Sequence, residues 1–199
     1  MMPFVFPNDP SVADMFNQYM FGDALLVAPI FTANAVSRSV YLPAGNWTDY
    51  NDKLTRYTGP TTITAAAPLD VIPRYVKAGS IIPRGDILQS NNNWTPNWTP
   101  NLHIEFFPAQ GVTSAFDYYN GNGLVPIRGG LSGNTVSLKF NNLGVNGKLE
   151  VYNIPGFTSV VRNGQPLING TDFQYDAAAQ RLVIPYSGPT ALMVTLSSS

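Results

Sequence analysis

The chain has 199 residues, of which 12% are charged and 44% hydrophobic, with a formal net charge of −1 at pH 7. Phosphate-backbone binding needs clustered Lys and Arg, so this balance excludes a nucleic-acid partner. The absence of cysteine removes disulfide scaffolds, thiolate metal sites and thiol nucleophiles, and a single histidine, His103, removes His-pair metal sites, so no metal or cofactor is expected.

In chain order, MMPFVFPNDP carries no basic region and no small-residue cleavage site, so it does not read as a signal peptide. The stretch SVADMFNQYMF places Val12, Met15, Phe16, Tyr19 and Met20 at helical spacing. With Asp9 or Ser11 as cap and Gly22 as stop, it predicts a helix over residues 11–21. Everything beyond reads as β. ALLVAPIF (Ala24 to Phe31) predicts a buried strand; it is far shorter than the ~20 residues of a membrane span, so no membrane partner is expected. SRSVYLPAG, NWTDY, TTITAAA and VIPRYVKAGSIIPR are short strands separated by turn residues, the spacing of a sandwich.

Residues 87–101 (ILQSNNNWTPNWTPN) interrupt the pattern and predict a linker or exposed loop. Strand signals resume with LHIEFFPA, SAFDYY, TVSLKF, KLEVYNI, SVVRNG, DFQYD, QRLVIPY and ALMVTLSSS, about eight strands. Asn122-Gly123, Asn146-Gly147 and Asn163-Gly164 supply turns that tolerate positive φ. The expected fold is mainly β: a short N-terminal α segment over residues 1–22, then two antiparallel β-sandwich domains. The first spans 23–86 and the second 102–199, with the linker between them.

The acids sit mostly beside Asn, Gly or Pro, where Asp ordinarily caps turns, and spacing on separate strands does not assemble a catalytic pair. DYYNGNG (Asp117 to Gly123) lacks calcium-loop spacing, since Tyr119 holds the third position and Arg128 the twelfth, and reads as a hairpin tip. His103 lies in the alternating strand LHIEFF, out of phase with Leu102 and Ile104, as a surface or half-buried residue. No catalytic residue is assigned. Trp94 and Trp98 lie in the Asn-rich loop, where a flat ring could stack on a sugar; the rarity of exposed Trp favours their covering the junction between the domains. Four glycosylation sequons begin at Asn46, Asn93, Asn97 and Asn169, each at a turn or loop, and favour a secreted chain.

Four phrases occurring in order resemble glycoside hydrolase family 31, the α-glucosidase and α-xylosidase family. They are MMPFVFPNDP, QYMFGDALLVAPI (Gln18 to Ile30), RSVYLPAGNWTDY (Arg38 to Tyr50) and APLDVIPRYVKAGSIIPRGD (Ala67 to Asp86). The resemblance places them at the end of the catalytic barrel and in the proximal β domain; residues 100–199 take the place of the distal domain by position. The family's acidic turn is reduced here to FDYYNGNG. The resemblance implies retaining hydrolysis of O-glycosyl bonds by two aspartates of a (β/α)₈ barrel. The nucleophile's setting, W.DMNE, is not in this sequence, and Gly22-Asp23 and Gly85-Asp86 fall in segments that match non-catalytic parts.

The resemblance thus implies the non-catalytic C-terminal portion of an α-glycosidase, partnered by a catalytic barrel in the same chain or in a separate subunit. On this reading Phe4 to Phe6 would be a barrel strand without neighbours, and residues 1–21 would fray or self-associate. Two alternatives stand beside it: a free-standing carbohydrate-binding module that takes an oligosaccharide on Trp94 and Trp98, and the second subunit of a split α-glucosidase.

Overall fold

A computed structural model describes residues 1–85 and 101–197. They form two compact units, Met1–Ser80 and Ile81–Ser199. The expected linker, Trp94, Trp98, Asn93 and Asn97 lie outside the described residues.

The first unit opens with helix α1 (Met2–Val5) and a 3₁₀ turn (Pro10–Val12). Five strands follow: β1 (Tyr19–Phe21), β2 (Leu25–Val27), β3 (Ser37–Asp49), β4 (Arg56–Ala66) and β5 (Arg74–Lys77). Their order in one antiparallel sheet is β1-β2-β5-β3-β4. β3 and β4 make a long ribbon whose register shifts between Leu42 and Gly45. The shift inserts one residue and reverses which face each later side chain takes. Val40 and Leu42 are therefore buried before the bulge, and Trp47, at an odd position, after it. Its indole nitrogen donates to the Pro43 carbonyl at 2.8 Å, inside the bulge that turned it. Met2, Val12, Met20, Leu26, Val40, Leu42, Trp47 and Tyr75 share one core.

Two expectations fail in this unit. Residues 11–21 are not a helix: after the 3₁₀ turn the chain passes through a turn at residues 13–14 and a bend at Asn17, and Tyr19–Phe21 pairs with Leu25–Val27. Helical spacing was present, but isolated helices this short are marginal, and strand pairing together with Gln18 bonding to β3 outweighs it. Phe4 and Val5 are helical rather than a strand, because Pro3 starts the turn and Phe6 N–H closes it on the Met2 carbonyl at 3.0 Å. Met2 and Val12 have no exposed surface, so both side chains of the N-terminal stretch are packed in the core of the unit.

The second unit is a sandwich. One sheet has the order β13-β12-β16-β10-β9-β8 and the other β14-β15-β11-β7-β6. The strands are β6 (Ser80–Gly85), β7 (Leu102–Phe107), β8 (Thr113–Tyr119), β9 (Leu124–Ser132), β10 (Thr135–Phe140) and β11 (Gly147–Val151). They continue as β12 (Phe157–Arg162), β13 (Gln165–Pro166), β14 (Gln174–Asp176), β15 (Arg181–Tyr186) and β16 (Thr190–Leu196). Ile104, Phe106, Leu149, Val151, Leu182 and Ile184 face Ile127, Val136, Leu138, Val160, Leu192 and Val194 across the core.

This unit departs from the sequence reading in three respects. β9 was not expected, because Pro126, Gly129 and Gly130 weaken its strand signal. A Cβ on Gly129 would lie 2.7 Å from the Ser137 carbonyl oxygen and 3.1 Å from the Phe106 ring, so the glycine admits close packing. β7 and β11 pair in parallel, joined by a crossover through three strands of the opposite sheet, as parallel neighbours require. Asn146-Gly147 opens β11 instead of making a turn, whereas Asn163 and Gly164 do form one, both at positive φ.

Gly147 sits between Leu102 on β7 and Tyr186 on β15. A Cβ there would overlap the Leu102 carbonyl oxygen and stand 2.7 Å from the Tyr186 hydroxyl, which donates to that same carbonyl. Gly147→Ala is therefore expected to destabilise the chain by about 3 kcal/mol in urea unfolding, with Ala substituted at Gly123, where an added Cβ meets nothing within 4 Å, near neutral in comparison.

Candidate functional site

In the first unit, Tyr41 on β3 fastens the N-terminal segment. Buried Gln18 donates from Nε2 to the Tyr41 carbonyl at 2.6 Å and accepts the Tyr41 amide at 3.1 Å, copying a strand pairing with a side chain. The Tyr41 hydroxyl donates to Asp9 Oδ2 at 2.7 Å, while Asp9 Oδ1 accepts from Ser11 N–H at 3.0 Å and caps the 3₁₀ turn. Burial, followed by the bond to Asp9, raises the Tyr41 pKa. Arg38 Nη1 donates to the carbonyls of Asn17 at 2.7 Å and Pro29 at 2.5 Å, which ties two loops together. Burial lowers the Arg38 pKa, but the guanidinium remains charged.

The segment held this way turns large apolar side chains outward. Phe4 is 81% exposed, Phe16 88%, Phe21 71% and Phe31 72%. Tyr19 and Phe21 flank buried Met20 on the opposite face of β1. Phe16 and Phe31 border an open cleft of about 580 Å³ with Pro29, Ile30 and Arg38. Phe16 and Phe31 thus share one exposed apolar cleft, and contiguous exposed apolar surface is the kind that marks interaction sites.

In the second unit a polar cluster occupies the outward face of the five-stranded sheet. Glu105 on β7 and Glu150 on β11 are register partners, and both are buried. Arg84 on β6 reaches Glu105 at 3.3 Å and Glu150 at 3.5 Å. Glu150 also receives His103 Nδ1 at 2.8 Å, the Tyr152 hydroxyl at 2.7 Å and Arg181 Nη1 at 3.3 Å. Adjacent carboxylates are the raw material of glycoside chemistry, but this pair is spanned by one guanidinium and Glu150 is saturated with donors. Burial, reinforced by the bond to Glu150, raises the Tyr152 pKa far above its usual value. The Tyr152 ring stacks on Phe107 with centroids 4.7 Å apart.

His103 is half-buried, as its phase implied, but its engagement with Glu150 was not legible, because the partner lies 47 residues away. Gln18 was also missed, since nothing local marks a Gln that bonds a distant backbone. The structure does not bring the described sequons together: Asn46 lies exposed in β3, accepting from Thr58 Oγ1 at 3.1 Å, and Asn169 lies exposed in the segment between β13 and β14. Among the described residues no group of His, Cys, Asp and Glu could hold a metal ion, and no helix is long and apolar enough to cross a membrane.

Residues 1–82 match the glycosyl hydrolase family 31 C-terminal domain. An isomaltosyltransferase of Sporosarcina globispora is 39% identical over 82 residues, 41% of this chain and 7% of that protein. Alpha-glucosidase 2 of Bacillus thermoamyloliquefaciens is 29% identical over 120 residues, 60% of this chain and 15% of that protein. A GH31 dextranase of Flavobacterium johnsoniae shares the fold over 98% of this chain and 28% of its own, at a TM-score of 0.82 and 24% identity. The chain thus spans a small part of each of these relatives. Residues 1–82 are similar to that family's C-terminal domain, and the fold of the chain matches part of the solved dextranase structure.

Gln18→Leu would leave the Tyr41 amide and carbonyl without their buried partner. The expected loss is about 2 kcal/mol in urea unfolding, with faster hydrogen exchange at residues 13–21. A second expectation concerns alkaline pH. Burial raises the pKa of Tyr75, Tyr152 and Tyr186, so the folded chain holds these protons after the unfolded chain has released them near pH ~10. Stability is then complete below that pH and falls as pH rises above it, which thermal melts from about pH 9 to 11.5 will register. Tyr152→Phe should flatten that slope.

Proposed function

We propose that this chain is a non-catalytic portion of a retaining α-glycoside hydrolase of family 31, whose first unit docks the catalytic barrel. The hydrolysis of O-glycosyl bonds would belong to that barrel, whether it lies in the same polypeptide or in a separate subunit. The observation that carries this reading is the outward set of Phe4, Phe16, Phe21 and Phe31, presented by a segment that Tyr41, Gln18 and Arg38 fix from behind. Large aromatics facing solvent have the character of an interface core awaiting its other half. The match of these residues to a family whose members carry the domain beside further sequence supports the same reading.

On the chemical side, retaining hydrolysis needs one carboxylate free to attack and a second free to protonate the leaving group. The adjacent pair Glu105 and Glu150 is committed to Arg84, and Glu150 additionally to His103, Tyr152 and Arg181.

The purified chain is expected to leave an aryl α-glucoside, maltose and isomaltose unhydrolysed. The double substitution Phe16→Ser with Phe31→Ser should reduce binding of an anilinonaphthalene sulfonate dye several-fold. It should shift unfolding by no more than ~0.5 kcal/mol, because both side chains are exposed. Hydrolysis by the chain alone, or dye binding unchanged in the double variant, would overturn the proposal.

A further inference from the structure

We propose that the outward face of the six-stranded sheet in the second unit is a binding platform for a neutral oligosaccharide, built on Tyr119, Asp117 and Arg128. Strand alternation defines the face. On β8, Ser114 is buried and Tyr118 packs on the core, so Thr113, Ala115, Asp117 and Tyr119 point away from it. On β9, Ile127 is in the core, which sends Pro126, Arg128 and Gly130 outward; Ser137 and Lys139 of β10 and Met193 of β16 complete the face.

Two elements on this face are pre-organised. Tyr119 is 65% exposed, yet its hydroxyl donates to the Gly121 carbonyl at 3.0 Å, so the ring is braced on its hairpin loop. Asn120 stiffens that loop by accepting the amides of Asn122 at 2.9 Å and Gly123 at 3.1 Å. Arg128 Nη2 meets Asp117 Oδ1 at 2.7 Å, and its Nη1 donates to the carbonyls of Phe116 and Ile127, both at 3.1 Å. The guanidinium is thereby fixed in orientation, and among the described residues Asp117 Oδ2 has no other partner. Asp117 and Tyr119 stand about 7 Å apart along the strand, close to the span of one pyranose ring.

An open groove of about 590 Å³ runs from Arg128 over Gly130, Ser137 and Met193, with Lys139 at its side. Its size suits a small ligand. A pyranose offers a C–H face to an aromatic ring and a rim of hydroxyls to paired donors and acceptors, and the exposed tyrosine beside an Asp–Arg pair supplies both. The charges also discriminate. Asp117 cancels Arg128, which leaves Lys139 alone on the face, too little for a polyanion and no barrier to a neutral glycan.

The platform stands apart from the barrel-docking reading, whose test addresses the first unit. The experiment is a titration of the ¹⁵N-labelled chain with maltotriose, isomaltotriose and cellotriose, followed by amide shifts. Saturable shifts are expected across residues 113–130, 137–139 and 191–193. Tyr119→Ala should weaken binding about tenfold or more, and Tyr119→Phe should stay within about twofold, since it keeps the ring. Unchanged melting of both variants will separate lost binding from lost folding. The proposal fails if none of the three sugars gives saturable shifts, or if the shifts map elsewhere. It fails equally if Trp94→Ala or Trp98→Ala abolishes binding while Tyr119→Ala binds like the parent.

Discussion

The first unit depends on one residue's backbone. Tyr41 sits in mid-strand, where amide and carbonyl would ordinarily serve a neighbouring strand, and Gln18 takes both from a segment that is not a strand at that point. A buried amide side chain with two satisfied bonds is costly to replace, because an apolar substitute orphans two backbone groups at once. That makes the path of residues 9–18 a consequence of β3, not of local propensity. Asp9 on the Tyr41 hydroxyl and Arg38 on the Asn17 carbonyl fix the same path from either side. The outward aromatics follow from it: once Val12 and Met20 face the core, Phe16, Tyr19 and Phe21 have only the opposite side left.

The second unit rests on a different constraint, the parallel contact of β7 with β11. Leu102 and Gly147 meet so closely that only glycine fits, and the Tyr186 hydroxyl closes on the same carbonyl. The parallel register also sets Glu105 beside Glu150 on the outward face, a like-charge juxtaposition that would destabilise the ladder if left alone. Arg84 on the next strand spans the two, Arg181 adds positive charge to Glu150, and His103 Nδ1 adds a polar contact to it. Topology creates the repulsion here, and neighbouring strands supply the counterions.

The sequence showed what periodicity can show. Alternation in residues 37–42, 135–140 and 181–186 marked strands, and Asn163-Gly164 marked a turn, because these signals are local. It misled where local and distant demands conflict. Residues 11–21 have helical spacing, yet their apolar side chains divide between core and solvent, which spacing alone does not reveal. β9 carries a proline and two glycines that lower its strand signal, although Gly129 is there because a strand packs against Phe106. The polar cluster was illegible for another reason: its members come from four strands, and the link from His103 to Glu150 spans 47 positions. The exposed aromatics of the first unit could be counted in the sequence but not assigned a face, because the helix expected there would have buried a different set.

How the acids are used bears on function. Asp49, Asp52, Asp172 and Asp176 each accept a backbone amide in a turn, and Asp9 caps the 3₁₀ turn. Asp52 takes three donors, the amides of Leu54 and Thr55 and the Thr55 hydroxyl, and its pKa is lowered although burial opposes this. Asp49 is raised, chiefly by burial, but its amide bond to Asn51 keeps it within a turn. Glu105 and Glu150 are held by Arg84. A catalytic carboxylate must be able to leave its present partners for a substrate, whereas each of these stabilises the fold by staying where it is. Asp117 differs: it is exposed, and Arg128 Nη2 meets one of its oxygens at 2.7 Å. A carboxylate so placed is suited to recognising hydroxyl groups, which is the use the proposed platform makes of it.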